Sequence, residues 1–86
     1  MPGGSVTVLL FGPARTTAGT GRLLVPVPVG GLTARALVDR LRDRYPGLAR
    51  TLASSRFVRN GRYLTRLTER LRPGDEFAVH PPYGGG

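Results

Sequence analysis

Few residues of this 86-residue chain carry side chains that could do chemistry. There is one histidine, His80, there are five acids, Asp39, Asp43, Glu69, Asp75 and Glu76, and there is no cysteine. Without thiols, disulfides, thiolate metal sites and cysteine nucleophiles are excluded. One imidazole and five scattered carboxylates are too few for a zinc site, a Ser/His/Asp triad or a carboxylate pair that divides acid and base work. No metal site and no side-chain catalysis are expected. What stands out is the run His80-Pro81-Pro82-Tyr83-Gly84-Gly85-Gly86 at the end of the sequence, with two prolines and three glycines in a segment that cannot pack into a core.

The elements that must position this run are legible in outline. Eighty-six residues support one domain that buries about 60 to 65% of the unfolded chain's surface, with room for one modest core. Ser5 to Gly12 is short, apolar and β-branched, and reads as a mid-sheet strand buried on both faces. Pro13 to Gly21 reads as a turn-rich loop. Arg22 to Val29 alternates Leu23, Val25, Val27 and Val29 toward one face, which predicts a second strand. Pro26 and Pro28 remove two N–H groups from the same side of it, so it must lie at a sheet edge.

After Gly30 and Gly31, the positions of Ala34, Leu37, Val38, Leu41 and Tyr45 predict the main helix. Thr33 is its N-cap, Pro46 and Gly47 end it, and Arg35, Arg40, Arg42 and Arg44 form a solvated outer face. Leu48 to Ser55 is expected to form a turn of helix, Arg56 to Leu64 a hairpin about Asn60 and Gly61, and Arg66 to Leu71 an irregular crossing. A turn through Pro73, Gly74 and Asp75 leads to a last strand with Phe77 and Val79 on one side, expected beside the first strand. The sum is an α+β two-layer domain. Burial of Leu37, Leu41, Phe57, Phe77 and Val79 would supply about 1.5 to 3 kcal/mol each.

The net charge is +8, carried by 13 arginines and no lysine. A basic balance fits a polyanionic partner. Arginine without lysine, amid many Gly, Ala and Pro residues, is more simply a GC-rich coding bias, so nucleic-acid binding is not the expected role. The start, MPGGSV, has no charged head before an apolar run, and no stretch approaches the roughly 18 apolar residues of a membrane span. No membrane partner and a cytoplasmic address are expected.

LRPGDEFAVHPPYGGG resembles the ending of the small, sulfur-carrying subunits of molybdopterin synthase, with its PGDE turn, short strand, paired prolines and terminal Gly-Gly. SVTVLLFGPARTTAG is similar to that family's first strand and loop, and LTARALVDRLRDRYPGL to its helix, so the resemblance spans nearly the whole chain. It implies the ubiquitin-like β-grasp fold: a mixed sheet of four to five strands, one main helix on one face, a domain over residues 1–80 and an extended reactive tail over residues 81–86. It also implies that the Gly86 carboxylate is adenylated with ATP by a partner of the ubiquitin-activating type and converted to a thiocarboxylate. The sulfur would then pass to a pterin precursor inside a larger synthase subunit, with which the carrier forms a heterotetramer. On this resemblance no cofactor is bound tightly, and the chain is a cosubstrate rather than a catalyst alone.

The tail composition suits such a role. Gly84, Gly85 and Gly86 can follow a narrow channel with torsions closed to other residues. Pro81 and Pro82 restrict the base to an extended form, which leaves less entropy to lose on docking. Tyr83 is either a contact anchor for the partner or a tolerated substitution, and His80 is expected at a strand end near solvent. Related carriers serve thiamine, cysteine or tRNA thiolation, and others modify protein lysines. The paired prolines favour the molybdopterin branch, and the lack of lysine disfavours lysine-linked chains of this protein upon itself.

Overall fold

The strand formed by Glu76–His80 lies at the centre of the main sheet, between Ser5–Leu10 from the start of the chain and Arg56–Arg59 from its second half. The computed structural model describes residues 3–81. Within them the order is β1 (Ser5–Leu10), α1 (Gly12–Ala18), β2 (Arg22–Pro26), β3 (Leu32–Thr33) and α2 (Ala34–Arg44). A 3-10 turn (Pro46–Leu48), α3 (Ala49–Ser54), β4 (Arg56–Arg59), β5 (Arg62–Tyr63), β6 (Arg70–Leu71) and β7 (Glu76–His80) follow. The main sheet runs β2-β1-β7-β4-β5, and β3 pairs with β6 in a two-stranded sheet of its own. The β1–β7 pair is parallel and the other pairs are antiparallel, so the sheet is mixed. This is the α+β, ubiquitin-like β-grasp arrangement.

One face of the sheet meets the helices. Val6, Val8, Leu10, Phe77 and Val79 are at most 1% exposed, and they share a core with Leu37 and Leu41 of α2. Strand alternation sends these residues to one side, and the helical spacing of Ala34, Leu37, Val38 and Leu41 turns one stripe of α2 onto them. Thr33 caps the helix as expected, its Oγ1 accepting the Ala36 N–H at 3.1 Å. Phe57 is half-buried and stacks on Phe77, with centroids 5.3 Å apart.

The expected hairpin is present, with Val58 opposite Tyr63 and Arg59 opposite Arg62. Asn60 at φ 48° and Gly61 at φ 84° take the two left-handed positions that a tight hairpin of this twist requires. β2 lies at the edge. The Val27 N–H turns inward to the Gly4 carbonyl at 3.0 Å, so the nitrogens of Pro26 and Pro28 face the open side.

Four expectations need correction. The segment 13–21 is mainly helical, forming α1: Pro13 occupies its first turn, where no N–H is needed, and Gly19 at φ 76° closes it. The second strand ends at Pro26, and Val29 is 66% exposed because the chain turns there, with the Gly31 N–H donating to the Pro28 carbonyl at 2.8 Å. β1 is fully buried on one face only; Ser5, Thr7 and Leu9 are half-buried on the side away from the helices. The crossing 66–71 contains β6, which pairs Leu71 with Leu32. Gly31 sits at that junction at φ 82°, and a side chain there would come 2.3 Å from the Leu71 carbonyl oxygen.

Among the described residues no helix is long and apolar enough to cross a membrane. Pro82, Tyr83, Gly84, Gly85 and Gly86 lie outside the described residues.

Candidate functional site

The route to the chain's end starts in the middle of the sheet. β7 holds Val79 against Leu10 on one side and against Phe57 on the other, and its last residue, His80, pairs with Arg56. Pro81 therefore emerges between the end of β1 and the start of β4. A Cβ placed on Gly12 would lie 3.8 Å from the Pro81 ring, so the start of α1 flanks the exit.

Register decides what surrounds it. Phe77 and Val79 face the core, which turns Ala78 and His80 to the opposite face. The His80 ring meets Phe11 edge-on, with centroids 5.5 Å apart and an interplanar angle of 87°. Tyr63 approaches it from the other side at 6.1 Å and 85°. Edge-to-face contacts of this kind contribute about 0.5 to 1.5 kcal/mol between aromatic rings. The Arg56 guanidinium lies 5.0 Å from the Tyr63 ring centroid. Phe11, His80, Tyr63 and Arg56 thus form a collar along one side of the exit, on the face without helices, and Phe11 and Tyr63 remain 43% and 58% exposed.

The collar continues into an apolar row. Leu9, Ala78, Val58 and Tyr63 stand directly opposite one another across β1, β7, β4 and β5, on the face without helices. Exposed aromatics beside a continuous apolar row suit a protein partner better than solvent.

At the far end of β7 a polar knot fixes the register. The Asp75 carboxylate accepts from the Arg72 N–H at 2.8 Å, the Asn60 side-chain amide at 3.0 Å and the Arg59 Nε at 3.0 Å. Asn60 in turn accepts the Glu76 N–H at 2.8 Å. Burial pushes the Asp75 carboxyl up, but the Arg72 N–H, the Asn60 amide and the Arg59 guanidinium together outweigh it and hold the group below the usual carboxylate value. The knot ties the Asn60-Gly61 turn to the Pro73-Gly74-Asp75 turn and so sets where β7 begins.

Of the residues singled out from the sequence, the structure places Pro81 at the exit and His80 in the collar, half-buried at the strand end as expected. Phe11, Tyr63 and Arg56 were not singled out. Phe11 follows Leu9 by two positions, the period of one strand face, and that alternation was the available signal. Among the described residues, no three of the His, Asp and Glu side chains group as metal ligands.

Comparison with known proteins adds four findings. The model of the ThiS family matches residues 8–86. The chain is 37% identical over 84 residues to the molybdopterin synthase sulfur carrier subunit of Drosophila sechellia, covering 95% of this chain and 91% of that one. It is 29% identical over 80 residues to the protein of the same name in Dictyostelium discoideum, at 92% and 93% coverage. Among solved structures, H. volcanii small archaeal modifier protein 1 superposes with a TM-score of 0.82 at 28% identity, covering 94% of this chain and all of that one.

Proposed function

The chain belongs to the ThiS family, and we propose that it is a sulfur carrier subunit of the molybdopterin synthase type that reacts through the carboxylate of Gly86. Its likeness to relatives bearing that name, along nearly their whole length, supports the pathway. The observation that supports the chemistry is the exit of Pro81 from the central strand beside an exposed aromatic collar, upstream of residues whose composition suits a threading tail.

Residues 81–86 act as the tail of the domain formed by the preceding residues. Six residues span up to roughly 20 Å when extended. Pro81 and Pro82 hold the base, Tyr83 contacts the partner, and Gly84, Gly85 and Gly86 enter its active site. An oxygen of the Gly86 carboxylate attacks the α-phosphorus of ATP held by an adenylating partner of the ubiquitin-activating type, and pyrophosphate leaves. Sulfur at the sulfide level then displaces AMP from the acyl carbon, which leaves a thiocarboxylate. The larger synthase subunit receives the loaded tail and supplies the pterin site, in a heterotetramer. This chain contributes the reacting terminus and a docking collar and is not a catalyst alone; ATP belongs to the partner and sulfur is cargo. The work is placed in the cytoplasm.

A second reading, attachment to protein lysines, is favoured by the likeness to the archaeal modifier protein. Pyrophosphate exchange with the cognate adenylating enzyme tests the shared first step. The full chain should support ATP–pyrophosphate exchange, and a chain lacking Gly85 and Gly86 should support none. Exchange that survives the deletion overturns both readings. Isopeptide-linked adducts in cell extracts, absent without Gly86, would select the modifier.

A further inference from the structure

On the helical side of the domain, α2 and α3 stand off from β4 and the loop 64–67, leaving a groove of about 600 Å³. Its base is apolar, formed by Val38, Leu52, Phe57 and Leu64. Its rim is basic. Arg35 and Arg42 stand on the α2 wall, and Arg56 and Arg66 on the strand and loop side. Asp39 is the one acid that lines it, and it holds Arg42 at 2.6 Å. Setting aside Arg56, whose guanidinium lies over the Tyr63 ring in the collar, the groove carries a surplus of two positive charges over an apolar floor.

The wall on α2 is a single stripe. Arg35, Val38, Asp39 and Arg42 follow the i, i+3, i+4, i+7 spacing, so all four project along one line. Seven residues of helix place the two arginine positions about 10 Å apart along the groove. The opposite wall is fixed in advance. The Arg35 N–H donates to the Leu67 carbonyl at 2.9 Å, the Ala34 N–H to the Glu69 carbonyl at 2.8 Å, and the Leu64 N–H to the Phe57 carbonyl at 2.9 Å. Glu69 further accepts from the Thr65 N–H at 3.2 Å. Among the described residues, Arg35 and Arg66 make no ion pair, so their donors are available.

Spread charges select the occupant. A mononucleotide gathers its phosphates at one end and cannot reach arginines distributed over this length and over two walls. An extended peptide advances about 3.3 Å per residue, so carboxylates three residues apart are separated by about 10 Å and fall to opposite sides of the strand, one toward the α2 wall and one toward Arg66 on the facing wall. Apolar residues between them meet Val38, Leu52 and Phe57.

We propose that this groove is a docking site for an acidic peptide segment of a partner protein, with two carboxylates three residues apart and apolar residues between them. It does not rest on the sulfur-carrier reading and lies apart from the tail, meeting the collar only at Arg56 and Tyr63.

The probe is a fluorescein-labelled peptide centred on Asp-Leu-Ile-Glu, titrated into the full chain by fluorescence anisotropy and by amide chemical-shift mapping. Shifts are expected at Val38, Asp39, Leu52, Phe57 and Leu64, and not at Leu24 or Ala78. The same peptide with Asn and Gln for its acids should bind at least about tenfold more weakly, the equivalent of one charge-assisted contact. Arg35→Glu combined with Arg66→Glu should cause a similar loss, whereas Arg44→Glu, outside the groove, should change affinity less than about threefold. Equal loss with Arg44→Glu, equal competition by ATP, polyglutamate or RNA, shifts centred on Ala78 and His80, or no binding each overturn the proposal.

Discussion

Replacement of Asp75 tests how the far end of β7 holds the tail's exit in place. The carboxylate is 15% exposed and takes three N–H groups at 2.8 to 3.0 Å, with a second guanidinium contact, Arg59 Nη2, at 3.0 Å. A hydrogen bond to a charged group contributes about 1.5 to 3 kcal/mol, and here Arg59, Asn60 and Arg72 stay close enough to water to recover part of that when it is lost. Asp75→Ala should therefore cost about 2 to 3 kcal/mol of a total stability of roughly 4 to 13 kcal/mol for a chain of this size. Each kcal/mol lowers the melting temperature by about 4 to 8 °C, so thermal melts followed by far-UV circular dichroism resolve the change easily. The pH dependence is the sharper test. Because the folded-state pKa is depressed below 3.8, the stabilisation is fully present above that value and is lost as pH falls through the folded-state pKa. Asp75→Asn removes that component, so the gap between wild type and variant should be constant from neutrality to about pH 5 and close as pH drops below the ordinary carboxylate value. A gap that stays flat into acid, or widens, refutes the assignment of the knot as a charged anchor.

Leu41, 1% exposed in the α2 stripe, should cost about 2 to 5 kcal/mol as Leu41→Ala, read as a lower urea midpoint at unchanged slope. Thr33→Ala removes the acceptor for the Ala36 N–H and should cost about 0.5 to 2 kcal/mol in the same assay; no change would show that the cap is idle. Phe11→Ala and Tyr63→Ala should leave the fold within about 1.5 kcal/mol of wild type. Each should weaken binding to the adenylating enzyme or the larger subunit by about thirtyfold, corresponding to ~2 kcal/mol, by isothermal titration calorimetry. Unchanged affinity in both variants for both partners removes the collar from the docking surface.

What the sequence made legible was mostly local chemistry. The Thr33 cap, the Asn60-Gly61 turn and the edge position enforced by Pro26 and Pro28 each follow from a few neighbouring residues, and each is present. α1 is not legible in the same way, because Gly12-Pro13 reads as loop punctuation, although proline in a first turn and Gly19 beyond the last are also the marks of a short helix. β3 and β6 have two residues each, too few to show any period. The collar was hidden for another reason: Phe11, Tyr63 and His80 belong to three segments, and only the register of β1, β7, β4 and β5 brings them together. The arginines of α2 were expected on a plain solvated face, but α3 and the loop 64–67 convert the stripe of Arg35 and Arg42 into one wall of a groove.

On the proposed chemistry, the acyl carbon of Gly86 carries sulfur. Intact-mass spectrometry of the full chain, after incubation with its adenylating enzyme, ATP and a sulfur donor, measures this directly. Exchange of one oxygen for sulfur, localised to Gly86 by fragmentation and absent without ATP, is the predicted result. An unchanged mass after pyrophosphate release has been verified, or a mature chain with further residues after Gly86 that are never removed, would contradict it.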